Sequence, residues 1–555
     1  VGTTFAPHRA TAIISFWGVA FDSQPAYIST DTEWGRKVFG VYEGNVSLHG
    51  KSYSKRWGRL YQATQPGEQL IRVLGDVGDW PIGSEIAITT QEYSNMTSNV
   101  TGRERRFIED IVFYAPSTEI LLDRPLDLPH FVGQAFTEPG SPALVVDARV
   151  VLLSRSIIVM TEEVQFPDPE RGVPDPGHGG NWFGHHMVIS GSSFVSMSWV
   201  QIAHAGQDGQ GPTGLLARFP ALRVVQPTSY NRFLPRPYFD SLVFTNSWVG
   251  AVEVVGTWGL DLLNCVFCET RGRVLHAGDD MGAFFIVDNL AMDSRPEPPP
   301  LDPVIPTYEP VAVFQLQARP VVFSGNVVAG CPDIGVLMRP ETCDDVEKDV
   351  SNQQINEVHS CVVGFFVLRS CSIEGGGPQA CSGHLDCVHL RKLKAWKNSH
   401  VGILFVDTPS SMIVSDVLVF DNHIGLTGNF HRQIGDMLHS FEFRDSQVYG
   451  STTLSNCRAS LQCMAVGPGD VTATTCRSLP GPEFRRVGIL LPIITNRGKT
   501  CEDGPVQRTC PVANLPERDC ALPWEQRYGN RASRMSSQKI MNVDFAGFRT
   551  EDCGM

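Results

Sequence analysis

One short pattern recurs along this chain: an aromatic residue, an asparagine two positions on, and a glycine soon after. Phe244-Thr245-Asn246 leads to Gly250, Trp396-Lys397-Asn398 to Gly402, and Phe420-Asp421-Asn422 to Gly425, the last one residue shorter. Looser copies begin at Phe267 and Phe323. Phe244 and Phe267 are 23 residues apart, and Trp396 and Phe420 are 24 apart. A period of that size fits one coil of three short strands, which buries its apolar side chains only against the coils next to it. Neighbouring coils would stand about 4.8 Å apart. Asparagine suits a corner because its amide can ladder up the stack and its backbone tolerates left-handed angles. Glycine takes the following bend at no steric cost. The competing reading is a sandwich of ordinary strands with coincidental spacing.

Composition agrees with many strands and turns. Of 555 residues, 42% are hydrophobic and only 19% charged, while glycine (52) and proline (38) are plentiful. Forty-five basic against 59 acidic residues give a net charge of −14, which disfavours nucleic acid and nonspecific polyanion binding. No apolar run reaches the roughly eighteen residues needed to span a bilayer, so no direct membrane insertion by this segment is expected. The chain opens on Val1 without a signal-peptide pattern, which reads as a mature or excised piece of a larger chain.

Residues 38–41, Leu70–Leu74, Glu85–Ile88 and 119–122 read as strands of an N-terminal β region. Coils follow from about residue 143. Proline-rich 295–310 reads as a loop ejected from one coil, because proline donates no ladder hydrogen bond. Residues 340–360 and 450–535 read as longer, cysteine-bearing excursions. All 15 cysteines lie at or beyond Cys265, and their crowding in turns favours disulfides and an extracellular setting. Asn45, Asn95 and Asn99 head N-glycosylation sequons, in keeping with that setting.

Several stretches resemble the fibrocystin family. Leu48-His49-Gly50-Lys51, Asp76-Val77-Gly78-Asp79-Trp80-Pro81-Ile82-Gly83 with Thr89-Thr90, and Arg124-Pro125-Leu126 with His130 are similar to its eight-glycine domain. Residues 148–157, Phe183-Gly184-His185-His186, Asn326 to Gly330, residues 486–492 and Met541 to Phe545 resemble its helix region. The resemblance implies an all-β fold: a right-handed parallel β-helix over 136–555, preceded by a β-rich eight-glycine domain over 1–135, with cysteine-rich insertions from about 331. It also implies a non-catalytic scaffold or receptor ectodomain at the cell surface, ciliary or flagellar by family habit, with a protein or glycan partner and no cofactor. The same architecture occurs in hyaluronan-degrading relatives, which makes a polysaccharide hydrolase or a glycan-binding module the alternative. Those relatives show Arg-Tyr-Pro followed by paired histidines. This chain has Arg218-Phe219-Pro220-Ala221-Leu222-Arg223 there, with no histidine.

Candidate chemistry is sparse. His178, His185 and His186 could supply a base or metal ligands, but adjacent residues on a strand face opposite ways, so at most one of the last two joins such a site. His276 with Asp279 and Asp280 could supply a glycosidase carboxylate pair; with His186 these form the alternative active site. Cys265 and Cys268 have zinc or redox spacing on an apparent strand, where core packing is the simpler reading. Arg391, Lys392, Lys394 and Lys397 form a basic strip that could take a glycan or acidic partner. No metal site is expected.

Overall fold

A computed structural model describes residues 1–17, 26–29, 32–35, 37–93, 104–135, 144–162, 184–191, 193–210, 216–225, 236–257, 259–278, 283–296, 311–317, 322–338, 341–342, 353–367, 388–405, 412–428, 440–450, 452, 462–464, 475–477, 487–490 and 537–546. Every regular element among them is a β-strand. The chain divides into two compact units. The first comprises Val1–Pro306, Val311–Met338 and Gln353–Val362, and the second Thr307–Pro310, Arg339–Asn352 and Val363–Met555.

In the first unit parallel strands stack into three sheets. The first sheet takes Ala12–Phe16, Ile157–Thr161, Val200–Ala203, Val243–Thr245, Val266–Cys268, Leu290–Met292, Val327–Ala329 and Asn356–His359 in spatial order. The second takes Val38–Tyr42, His186–Ser190, Leu222–Val225, Val252–Val255, Leu275–Ala277, Ala312–Leu316 and Ile334–Met338. The third takes Asn45–His49, Phe194–Ser198, Tyr238–Asp240, Gly259–Leu263, Ala283–Val287 and Val322–Ser324. The chain visits the three sheets in turn and returns one strand further along. That is a parallel β-helix.

The corners explain the repeat. Between the third and first sheets each coil places one residue at positive φ: Trp199, Ser241, Asn264, Asp288 or Gly325. Between the first and second sheets the same job falls to His204, Asn246, Glu269, Asp293, Gly330 and Ser360. One residue past the first of these corners, Asn289 and Asn326 build a buried ladder with Asn356 of the coil beyond. Asn289 Nδ2 donates to Asn326 Oδ1 at 3.0 Å and Asn326 Nδ2 to Asn356 Oδ1 at 3.1 Å. Each side-chain oxygen also accepts a backbone N–H from the coil below, from Cys265, Asn289 and Asn326. Asn246 is therefore not a rung: it holds the left-handed corner at φ 53°.

The second unit repeats the logic one residue out of phase. Val388–Trp396, Met412–Phe420, Ser440–Tyr449 and Ser537–Ala546 form one parallel sheet, and Val363–Val367, Val401–Phe405, Ile424–Gly428 and Val487–Leu490 another. Here Lys397 and Asp421 take the left-handed corner, and Asn398 donates to Asn422 at 2.9 Å from the next position. The Trp396 and Phe420 rings stack with centroids 5.7 Å apart. Gly250 does serve a bend, at φ 65°. Gly402 instead lies in a strand, where an added Cβ would come within 2.5 Å of the Gly425 carbonyl oxygen and 2.9 Å of Asn422 Nδ2. Its absent side chain lets one coil lie close on the next.

The eight-glycine domain is an antiparallel sheet in the order Trp57–Arg59, Arg149–Leu152, Glu85–Ile88, Glu104–Tyr114, Ser117–Leu122 and Leu70–Leu74. Its core gathers Ile71, Val73, Trp80, Ile86, Ile88, Ile108, Ile120 and Leu152. Trp80 Nε1 donates to the Lys55 carbonyl, and Asp79 accepts from the Ser54 hydroxyl, which pins the tryptophan-glycine segment. The expected boundary at residue 135 does not match this arrangement. Ala12–Phe16, Val38–Tyr42 and Asn45–His49 pair in parallel with the next coil of the helix, so the first coil precedes the eight-glycine domain. The domain is inserted between two coils, the opening one completed by the parallel pairing of these three strands.

The inserted domain lies on the first sheet. Ala87, Val151 and Leu153, with Trp57, pack on Val243, Val266, Leu290 and Val327. Ion pairs edge the contact: Arg149 with Glu357 at 2.8 Å, and Arg105 with Glu85 at 2.7 Å and Glu269 at 3.6 Å. Cys331 and Cys361 form a disulfide.

Replacing Asn326 with alanine strands buried donors on Asn289, so the first unit is expected to lose about 2–4 kcal/mol of stability. Asn246→Gly, at a position glycine adopts freely, should cost under about 1 kcal/mol. Urea unfolding followed by tryptophan fluorescence reads both.

Candidate functional site

Strand alternation places Leu222, Val252 and Leu275 inside and Arg223, Glu253 and His276 outside on the second sheet. Parallel register sets these three and Gln315 side by side in consecutive coils. Arg223 Nε lies 2.8 Å from Glu253 Oε2, His276 Nδ1 lies 3.5 Å from Glu253 Oε1, and His276 Nε2 lies 3.3 Å from Gln317 Oε1. Burial pushes the Glu253 carboxyl up. The hydrogen bond from His276 and the charges of Arg223, His276 and Arg273 outweigh it and hold the group below its ordinary value. The row is thus an ionised carboxylate clamped by a guanidinium on one side and an imidazole on the other. Sequence reading found His276 and missed Glu253, although the two are one repeat apart. Asp279 and Asp280 lie outside the described residues.

The histidine pair is buried. His185 bridges to Ala205, its Nδ1 lies 3.0 Å from Thr161 Oγ1, and its ring stacks on Phe16 at 4.9 Å. Burial, reinforced by the neighbouring His186, Lys37 and His204, pushes its pKa down to about 3. His186 is fully buried and stacks on Phe219 at 4.8 Å. The Arg-Phe-Pro segment and the paired histidines therefore do meet in space, but as packed rings. His186 is 0% exposed, so it does not share a surface with His276, and the alternative active site is not assembled by its described members. His178 lies outside the described residues.

The basic strip does not present one face. Lys397 is 1% exposed, at the left-handed corner. Lys392 stands at positive φ within its strand and pairs with Asp416 at 3.7 Å. Lys394 lies over the Trp396 and Phe420 rings at 5.8 and 5.9 Å. Arg391 stays half-buried in register with Ser415. The left-handed positions break strand alternation, which is why a contiguous run in sequence divides between half-buried and fully buried positions. Cys265 and Cys268 are free and buried, and burial pushes both thiols up, as for core residues. Among the described residues no group of three or more potential ligands could hold a metal. Asn45 and Ser47 are exposed on the outer strand of the third sheet, whereas Asn95 and Asn99 lie outside the described residues.

An eight-glycine (G8) domain set into a parallel β-helix defines the class of protein. No family model matches the chain. It is 22% identical over 479 residues to mouse (Mus musculus) fibrocystin-L, covering 82% of this chain and 10% of that protein. It is 22% identical over 480 residues to dog (Canis lupus familiaris) fibrocystin, covering 83% and 10%. A G8 domain-containing protein of Dictyostelium discoideum is 25% identical over 256 residues, covering 45% and 16%. The chain is fibrocystin-like. It spans about a tenth of the length of the fibrocystins it matches, 10% in both cases.

Acid should expose the buried histidines. Below the ordinary value of 6.5 the unfolded chain binds a proton that native His185 refuses until about pH 3. Native His130, lowered chiefly by burial, refuses one until about pH 4. Stability held above pH 6.5 is therefore lost as pH falls through that window, by at most about 1.4 kcal/mol per pH unit for each group. His185→Gln should flatten the slope of unfolding free energy between pH 4 and 6 measured in urea titrations.

Proposed function

We propose that this chain is a segment of an extracellular or cell-surface ectodomain of the fibrocystin type, working as a rigid binding surface without turnover. The observation that carries the reading is the second-sheet row. Both His276 ring nitrogens are engaged, and Glu253 is kept ionised, so the row lacks a free base and a protonated carboxylic acid. A protein partner or a glycan would meet such a surface through side chains already fixed by their neighbours, with little ordering cost on binding. The Cys331–Cys361 disulfide and the exposed Asn45 sequon support an oxidising, glycosylating route to the surface.

Incubation with size-defined hyaluronan, with and without divalent cations, should leave chain length unchanged. Shortening that disappears in His276→Ala or in the Asp279→Asn, Asp280→Asn double variant would replace this reading with a hydrolase. Expressed through a eukaryotic secretory pathway, the chain should lose one glycan's worth of gel mobility shift on Asn45→Gln. Unchanged mobility would contradict surface exposure of that sequon in the folding compartment.

A further inference from the structure

We infer that the Arg223–Glu253–His276–Gln315 row is a binding groove for an uncharged saccharide chain, a site that rests on the surface reading and narrows it. Side-chain exposure falls along the row, from 36% at Arg223 through 23% at Glu253 to 18% at His276. It ends at Gln315, which is 2% exposed although register turns it outward, between Phe314 and Leu316 that fill the core. Gln315 Oε1 has no hydrogen-bond partner. A buried carbonyl oxygen without a donor is destabilising, and here it closes a row whose other members meet one another from coil to coil.

The chemistry missing at that oxygen is a donor carried in from outside. A saccharide hydroxyl supplies one. Successive row members stand about 4.8 Å apart, close to the length of one residue in an extended pyranose chain, so consecutive sugars would meet Arg223, Glu253 and His276 in turn. Along the row the charges of Arg223 and Glu253 cancel. A polyanion gains nothing there and brings its carboxylates towards Glu253. An uncharged, hydroxyl-rich chain fits the pattern. The inserted G8 domain packs on the first sheet through Ala87, Val151 and Leu153, a different side of the coil stack.

Binding is to be measured by calorimetry on the whole chain with two probes, a neutral N-acetylglucosamine hexamer and a hyaluronan hexamer, and each mixture is then sized. The neutral probe should bind and the hyaluronan probe should bind at least tenfold more weakly. Gln315→Leu should weaken binding at least tenfold while raising the midpoint of thermal unfolding, since it removes an unpartnered acceptor. Glu253→Gln should weaken binding on the native fold and serves as the second variant. Absence of binding to the neutral probe, equal binding by the Gln315→Leu and Glu253→Gln variants, or preference for hyaluronan would overturn the groove while leaving a non-catalytic surface intact. Shortening of either bound probe would overturn the surface reading itself.

Discussion

A coil of this protein has no interior of its own. Its backbone hydrogen bonds and apolar contacts are made to the coils on either side, so each one depends on being held in register. Register is set at the corners. One left-handed residue per corner turns the chain by the same amount in every coil, and Asn289, Asn326 and Asn356 lock successive turns by passing amide hydrogen bonds up the stack. A slip of one residue would point Arg223, Glu253 and His276 inward and strand the asparagines without partners. The outward rows, the fit of the G8 domain on the first sheet and the close approach at Gly402 all follow from that alignment.

The architecture was legible because its period is written in chemically distinctive residues. Aromatic, asparagine and glycine recur at about the interval that a three-strand coil needs, and the structure stacks Phe244 on Phe267 and Trp396 on Phe420 as that interval implies. The function of individual motif positions was less legible. Asn246 and Asn398 look equivalent in sequence, yet one holds a corner and the other a rung, because several residue types serve the left-handed position. Asparagine, aspartate, serine, glutamate, lysine and histidine all occupy it here. The order of domains was hidden for another reason. Residues 38–42 read as the same short apolar run whether they finish a small β domain or open a helix coil, and only their pairing with His186–Ser190 decides it.

Side-chain chemistry was legible only where it lay within a few residues. His185 and His186 attract attention as neighbours, but the ring contacts to Phe16 and Phe219 leave both buried. The row that does assemble a carboxylate, a guanidinium and an imidazole draws one residue from each of several coils. Nothing local in the chain marks Arg223 or Glu253 as partners of His276. The helix converts a separation of one repeat into direct contact, so interactions across coils become visible only once the register is known.

The position of the G8 domain within the helix bears on the order of assembly. His49 and Ser198 meet across 149 residues, whereas Cys265 and Asn289 meet across 24, so the opening coil closes a far longer loop than the coils that follow it. The two stems of the insertion touch, Lys51 N donating to Ser156 Oγ at 2.8 Å. Once folded, the domain thus holds the ends of its own excursion together and delivers the opening coil to the stack. An unfolded domain would leave that coil tethered by a long flexible chain and the strands of the second coil with open edges.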